Sequence, residues 1–156
     1  MYRLDSIDKK ILMLLQEQGR ITNAELSRKV GLSAASALER VKKLERKGVI
    51  KGYRAELDHI AVGVGLLVLV EVVLARHQHD AIVKFVDAVQ QVDEIINCYH
   101  VTGRADYILK VAARDIPAYE QFVVETLSSL PGIQHIETMM VLSAVKESKT
   151  LPINAE

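Results

Sequence analysis

The sequence predicts an α+β chain in which a helix-turn-helix unit precedes a βαββαβ sandwich of ferredoxin-like type. Three observations predict it. Three short amphipathic helical patterns with their own caps fill residues 1–50, strand and helix patterns alternate from Gly65 onward, and charge divides between the two stretches.

The composition suits two small folded units. The chain has 156 residues, 49% hydrophobic and 26% charged, with only eight Gly and three Pro, which excludes disordered and collagen-like classes. A single cysteine, Cys98, allows no internal disulfide and no four-thiolate zinc site, which favours a reducing compartment. The first ten residues lack the basic-then-apolar pattern of a secretory signal, so the expected location is the cytoplasm. The apolar run from Ile60 to Ala75, broken only by Glu71, is too short for a membrane span, contains Gly63 and Gly65, and is rich in Val. It reads as a buried strand, and no membrane association is expected.

Helix one is capped by Asp5 or Ser6, carries Ile7, Ile11, Leu14 and Leu15 at helical spacing, and stops at Gly19. Thr22 caps a short second helix with Leu26 and Val30 on its inner face; Gly31 ends it, and Ser33 caps a third. On a helical wheel, Ala34, Ala37, Leu38, Val41, Leu44 and Glu45 share the packed side of helix three. Ser36, Glu39, Arg40, Lys43, Arg46 and Lys47 share the other, before Gly48 ends the helix.

The net charge of zero hides a division. Residues 1–58 hold 13 Lys and Arg against 8 Asp and Glu, and residues 59–156 hold 7 against 12. From Arg28 to Arg54 there are nine basic residues and two acidic ones, Glu39 and Glu45. A solvated helix face explains many charge runs. Here the cations form a ridge opposite the packed face of the second helix of a helix-turn-helix, which suits phosphates and base edges in a major groove of double-stranded DNA. The candidate DNA contacts are Asn23, Ser33, Ala34, Ser36, Arg40, Lys43, Lys47, Lys51 and Arg54. Ala34, Ala35 and Ala37 make no bidentate base contacts, so selectivity should be modest. Ser33 has a plainer role as a cap, and Arg40 has one as partner of a nearby carboxylate. Val49 to Leu57 has strand composition, so residues 51–64 read as a connecting strand and hinge.

From Gly65 the patterns give strand 66–74, helix 79–91, strand 95–102, strand 106–113, helix 116–130 and strand 134–145, within a unit spanning 65–146 and followed by a tail, 147–156. Pro117 in the first turn and Leu130-Pro131-Gly132 at the end bound the second helix. An antiparallel sheet with helices on one face normally alternates apolar and polar residues. Leu66 to Val70, Val72 to Leu74 and Met139 to Leu142 do not, so a second copy of the sheet is expected to cover the other face in a two-fold homodimer. Between strands two and three, Gly103-Arg104-Ala105-Asp106 reads as a tight turn. The same turn amides and carboxylate also suit a small zwitterion, with Asp106 taking the ammonium group.

The residues resemble a known family. Asp8-Lys9-Lys10-Ile11-Leu12, Gly19-Arg20-Ile21-Thr22-Asn23-Ala24-Glu25-Leu26-Ser27, Val30-Gly31-Leu32-Ser33, Glu39-Arg40-Val41-Lys42-Lys43-Leu44-Glu45, Gly52-Tyr53, Val70-Glu71-Val72, Val101-Thr102-Gly103, Asp106-Tyr107 and Leu130-Pro131-Gly132-Ile133 follow one another as in the Lrp/AsnC, or feast-or-famine, regulators. The resemblance covers nearly the whole chain. It implies a winged-helix-like DNA-binding unit, an ACT/RAM-like regulatory unit and a nucleoid-associated transcription regulator. It also implies dimers that assemble further, commonly to octamers, with an amino-acid effector between dimers and no cofactor. By position, Thr102, Gly103, Asp106 and Tyr107, with Arg104 among them, would form one side of the effector site. Residues near Glu137 to Met140 of an adjoining subunit, with Met139 against an apolar side chain, would form the other. Two positions depart from the family pattern: Ala34 stands where Pro is usual, and Arg104 where an acidic or other polar residue is usual.

Two other readings remain beside a ligand-responsive regulator. One is an architectural protein that compacts DNA without an effector. The other is an enzyme resembling tetrapyrrole decarboxylases of the same two-domain plan. His59, His77, His79, His100 and His135 are scattered, and no nucleophile triad, phosphate loop or zinc spacing stands out, so no enzyme is expected. His77 and His79, an H-x-H pair near a helix start, read as solvent-exposed.

Overall fold

A computed structural model describes residues 3–75, 79–148 and 150–153, with the side chains of 79–81 left aside. The chain divides into two compact units, one running to Glu56 and reclaiming the tail from Val145, the other Leu57–Ala144.

The first unit is built from α1 (Ser6–Glu17), α2 (Asn23–Val30) and α3 (Ala34–Arg46). Asp5 caps α1 in a reciprocal box, accepting from the Asp8 amide at 2.7 Å while Asp8 accepts from the Asp5 amide at 3.4 Å. Thr22 caps α2 by accepting from the Glu25 amide. Gly31 ends α2 in the left-handed region at φ 74°, which lets Leu32 N–H reach the Ser27 carbonyl and turns the chain into α3. Ile11, Leu12, Leu26, Val30 and Leu44 form the core. The packed face of α3 is narrower than the wheel suggests. Ala37 and Leu44 are fully buried and Val41 half-buried, whereas Ala34, Leu38 and Glu45 are exposed.

The tail belongs to this unit. The Gln16 amide donates to the Leu151 carbonyl at 3.2 Å and accepts from the Leu151 amide at 2.6 Å, and Ile153 packs on the helical core. The expected connecting strand is not formed. Residues 51–58 carry no regular structure, since no neighbouring segment among the described residues offers them a ladder.

The second unit follows the βαββαβ order: β1 (Leu66–Leu74), α4 (His79–Val89), β2 (Ile95–His100), β3 (Tyr107–Ala113), α5 (Ile116–Glu125) and β4 (Ile133–Met140). All pairings are antiparallel and the sheet order is β2-β3-β1-β4. Val68, Val70, Val72 and Leu74 face the helices and pack with Phe85 and Val89 of α4 and with Tyr119 and Phe122 of α5. Tyr119 Oη lies 2.7 Å from Thr138 Oγ1, tying α5 to β4.

Several bounds differ from expectation for local reasons. Helix 116–130 breaks into α5 and a single 3-10 turn, Leu127–Ser129. Ser128 and Ser129 hydroxyls take the Val123 and Thr126 carbonyls, and Leu130, which precedes Pro131, is extended. Strand two stops at His100, because the next amide, Val101 N–H, closes the turn onto the Asp106 carbonyl. The last strand ends at Met140 rather than 145. Beyond a 3.4 Å bond from Val141 N–H to the Leu67 carbonyl the chain leaves the sheet.

Candidate nucleic-acid and effector sites

Ser33 caps α3 twice over: its Oγ accepts from the Ser36 amide at 3.2 Å and donates to Ser36 Oγ at 2.9 Å. Asn23, at the start of α2, donates its amide to the Ala34 carbonyl at 2.8 Å, stitching the starts of the two helices together. The Ser33 cap therefore holds with Ala34 in the position behind it, and Ser36 is left exposed on the outer face with Ala34 and Ala35.

The outer face is less uniformly cationic than the sequence suggests. Arg40 Nη1 donates to Asp5 Oδ2 at 2.7 Å and to Asp8 Oδ1 at 2.8 Å, and Asp8 is buried. Arg46 donates to Glu39 at 2.7 Å. These guanidiniums hold the Asp5 and Glu39 carboxyls below the usual carboxylate range, chiefly through the hydrogen bonds they donate. Asp5, Ala35, Ser36, Glu39, Arg40 and Lys43 together line a 540 Å³ depression beside the helix. Lys43, Lys47, Lys51 and Arg54 are exposed. Tyr53, in the connecting segment, donates its hydroxyl to Glu45 at 3.0 Å; desolvation and this bond push its phenol up to about 12. The sequence offers Arg40 a nearby carboxylate as partner without naming it; the structure identifies Asp5 and Asp8, the two residues of the capping box.

In the second unit the loop between β2 and β3 separates the expected ligand residues into two groups. Asp106 and Tyr107 lie on the helix-covered side. Asp106 Oδ2 accepts from the Leu74 amide at 2.8 Å while its own amide bonds the Val72 carbonyl, so the residue extends the β1–β3 ladder. Tyr107 is buried against Phe85, and His100 stacks on it with centroids 4.8 Å apart. Burial pushes the Tyr107 phenol up. Leu74, Ala75, Ile82, His100, Asp106 and Tyr107 line a cavity of 320 Å³. Of these lining residues the sequence singled out only Asp106 and Tyr107 as ligand contacts; the others come together through the register of β1 with β3 and the placement of α4.

Arg104 goes to the opposite side. Its Nη2 lies 3.3 Å from Glu71 and 3.6 Å from Glu137, two carboxylates that stand directly across from each other on β1 and β4. Met139 is paired with Leu69 on that same outer face, half-buried. Thr102 and Gly103 are exposed between the groups, with Gly103 at φ 125°, a conformation few side chains accept.

Among the described residues no group of three His, Cys, Asp or Glu is placed to hold a metal ion. His77 lies outside the described residues, as does the His79 side chain. No described helix is long and apolar enough to cross a membrane.

A capped helix-turn-helix with a basic recognition helix, joined to an antiparallel βαββαβ unit that carries a small polar-edged cavity, defines a DNA-binding regulator. Residues 4–51 match the family model for a winged helix-turn-helix DNA-binding domain, and residues 67–151 match that for the Lrp/AsnC ligand-binding domain. The chain belongs to the Lrp/AsnC family of transcriptional regulators. It is 46% identical to the leucine-responsive regulatory protein of Escherichia coli over 150 residues, 96% of this chain and 92% of that protein. It superposes with a TM-score of 0.93 on a transcriptional regulator of Neisseria meningitidis solved in complex with L-methionine, at 38% identity, covering 97% of this chain and 98% of that one. The AsnC structure of Escherichia coli gives a TM-score of 0.87 at 25% identity over 96% and 99% of the two chains. These relatives are regulators, not enzymes, and the decarboxylase reading falls with them.

Proposed function

We propose that this regulator responds to an apolar amino acid held at the β2–β3 end of its second unit, and that it acts on DNA as an assembly of dimers, an octamer in its full form, on the nucleoid. The observation that carries the effector reading is the 320 Å³ cavity, at the small end of ligand pockets, in which apolar Leu74, Ala75 and Ile82 meet the carboxylate of Asp106. An ammonium group fits the Asp106 edge and an aliphatic or thioether side chain fits the apolar wall. The relative bound to L-methionine supports that class of ligand.

The assembly reading rests on the outer face of the sheet. Leu67, Leu69, Val73, Ile108 and Met139 stay only half-covered there, while both helices pack on the other side. A second copy of this face is the occupant that matches it. Within the assembly, Arg104, Glu137 and Met139 would belong to the subunit boundary, with Thr102 and Gly103 between boundary and cavity.

On the DNA side, Ser36 is placed to meet base edges, and Lys43, Lys47, Lys51 and Arg54 to meet phosphates. Ser33 caps the helix start and Asn23 ties it to α2 through the Ala34 carbonyl. The test is a thermal-shift and calorimetric screen of the twenty amino acids, repeated with DNA present. An apolar amino acid should raise the melting temperature and alter DNA affinity or assembly size. If none does either, the architectural reading, DNA compaction without an effector, takes its place.

A further inference from the structure

We propose that Arg40 is a positioning residue of DNA recognition: it sets the angle of α3 by clamping the N-terminus of α1, and contributes no phosphate contact. The inference rests on reading α3 as the DNA-facing helix. Three features of the site carry it. A single nitrogen, Nη1, is shared by Asp5 Oδ2 at 2.7 Å and Asp8 Oδ1 at 2.8 Å, so the guanidinium is drawn toward α1. The Asp8 side chain is only 3% exposed, and a carboxylate so placed holds its cationic partner strongly. The two carboxylates are themselves locked by the capping box, so the partner of Arg40 is a rigid helix end rather than a mobile side chain.

The consequence is geometric. Residue 40 lies one turn beyond Ser36 and one turn before Lys43 or Leu44, so the clamp grips α3 between its exposed serine and its buried core leucine. Leu44 fixes the depth of the helix; Arg40 fixes its rotation about that point, and rotation decides which bases Ser36 meets.

The test compares DNA affinity across a potassium chloride series for the full-length protein, using a duplex enriched from random sequence by the wild type and a scrambled duplex of the same composition. Lys43→Ala serves as the control. It should lower the magnitude of the log-affinity against log-salt slope by about 0.9, and no such change, or no binding by the wild type, counts against α3 as the DNA-facing helix rather than against the clamp. Arg40→Met should weaken binding to the enriched duplex by roughly tenfold, within the coupling found in shared ion-pair networks, leave the salt slope unchanged and narrow the preference over the scrambled duplex. Asp5→Asn should narrow that preference in the same sense, and combining it with Arg40→Met should add little.

A slope lowered by about 0.9 in Arg40→Met, in either Asp5 background, makes Arg40 a phosphate contact and overturns the proposal. A fall in melting temperature with affinity and preference unmoved also overturns it, since the residue is then only structural. Should Arg40→Met not fold, Asp5→Asn alone decides. An unchanged or wider preference for the enriched duplex in that variant refutes the clamp.

Discussion

Replacing Asp106 tests the ladder bond that the structure shows and the ligand contact proposed above for the same carboxylate. Its Oδ2 accepts from the Leu74 amide at 2.8 Å at the end of β1, and the residue also lines the cavity. A hydrogen bond to a charged acceptor contributes about 1.5 to 3 kcal/mol, and a neutral one about 0.5 to 1.5 kcal/mol. Asp106→Ala should therefore destabilise the second unit by roughly 1.5 to 3 kcal/mol, whereas Asp106→Asn, which keeps an acceptor for Leu74, should lose only about half of that. The ligand role separates from the fold in the asparagine variant. A lost charge-assisted bond to an ammonium group should weaken effector binding by roughly 10- to 150-fold, at about 1.4 kcal/mol per decade. Urea unfolding measures the first effect and calorimetric titration with the best-binding amino acid measures the second. An alanine variant as stable as the wild type removes the ladder role. An asparagine variant that binds the effector with undiminished affinity removes Asp106 from the ligand site.

Arg104→Gln leaves Glu71 and Glu137 opposed across β1 and β4. Because Arg104 is exposed, the loss should be small, about 0.5 to 1 kcal/mol, and should shrink in about 1 M salt; a deficit insensitive to salt would assign it to packing instead. Ile153→Ala, which strips a half-buried side chain from the helical core, should cost about 1 kcal/mol and speed hydrogen exchange in α1, and unaltered exchange there would free the tail from this role. Arg40 holds the Asp5 carboxyl below its ordinary 3.8, so this pair stabilises the fold fully above that value and loses its contribution as pH falls through the lower folded value. Acid titration should thus show Asp5→Asn less stable than the wild type near neutrality and equal to it once Asp5 is protonated, and a gap that persists at the acid end refutes the linkage. Leu69→Asp on the outer sheet face should give a smaller species by light scattering and weaken DNA binding by about 10² to 10⁴-fold, with the helical unit still folded.

The elements were legible where local chemistry decides them. The caps Asp5, Thr22 and Ser33 and the stop at Gly31 are properties of a few neighbouring residues, and the apolar run that follows Gly65, interrupted only by Glu71, bounds β1 to the residue. The rest depends on partners elsewhere in the chain or on side-chain hydrogen bonds that periodicity does not register. The connecting segment has strand composition, but a strand exists only beside another. Helix 116–130 kept its apolar period through Leu130, while the competing hydroxyls of Ser128 and Ser129 lie outside any periodicity argument. The site was legible in kind and not in arrangement. Arg104 and Asp106 are two residues apart in a turn and were read as one cluster, yet they serve opposite sides of the sheet. Arg40 reads from the sequence both as part of a ridge and as partner of a carboxylate, because helical spacing within α3 does not say that Asp5 and Asp8, at the start of α1, reach it.

The same correction bears on how the protein grips DNA. Counting cations from Arg28 to Arg54 suggests a strongly charged surface, but Arg40 faces two carboxylates, one of them buried, while Arg46 and Lys29 are exposed and their carboxylate partners hold them only weakly. Each phosphate neutralised steepens the salt dependence by about 0.9, so a single helical unit has fewer increments to draw on than its composition promises. The turn proposed to face the bases offers Ser36 and alanines, which would add little discrimination. Affinity and selectivity at the level a regulator requires must then come from several such units engaging one DNA together, where linkage raises the effective concentration of each after the first to the millimolar range. The half-covered apolar face of the sheet and the short recognition helix are, on this view, two halves of one design: the second unit supplies by assembly what a single first unit lacks in contacts. An effector that alters assembly then alters DNA binding without touching α3.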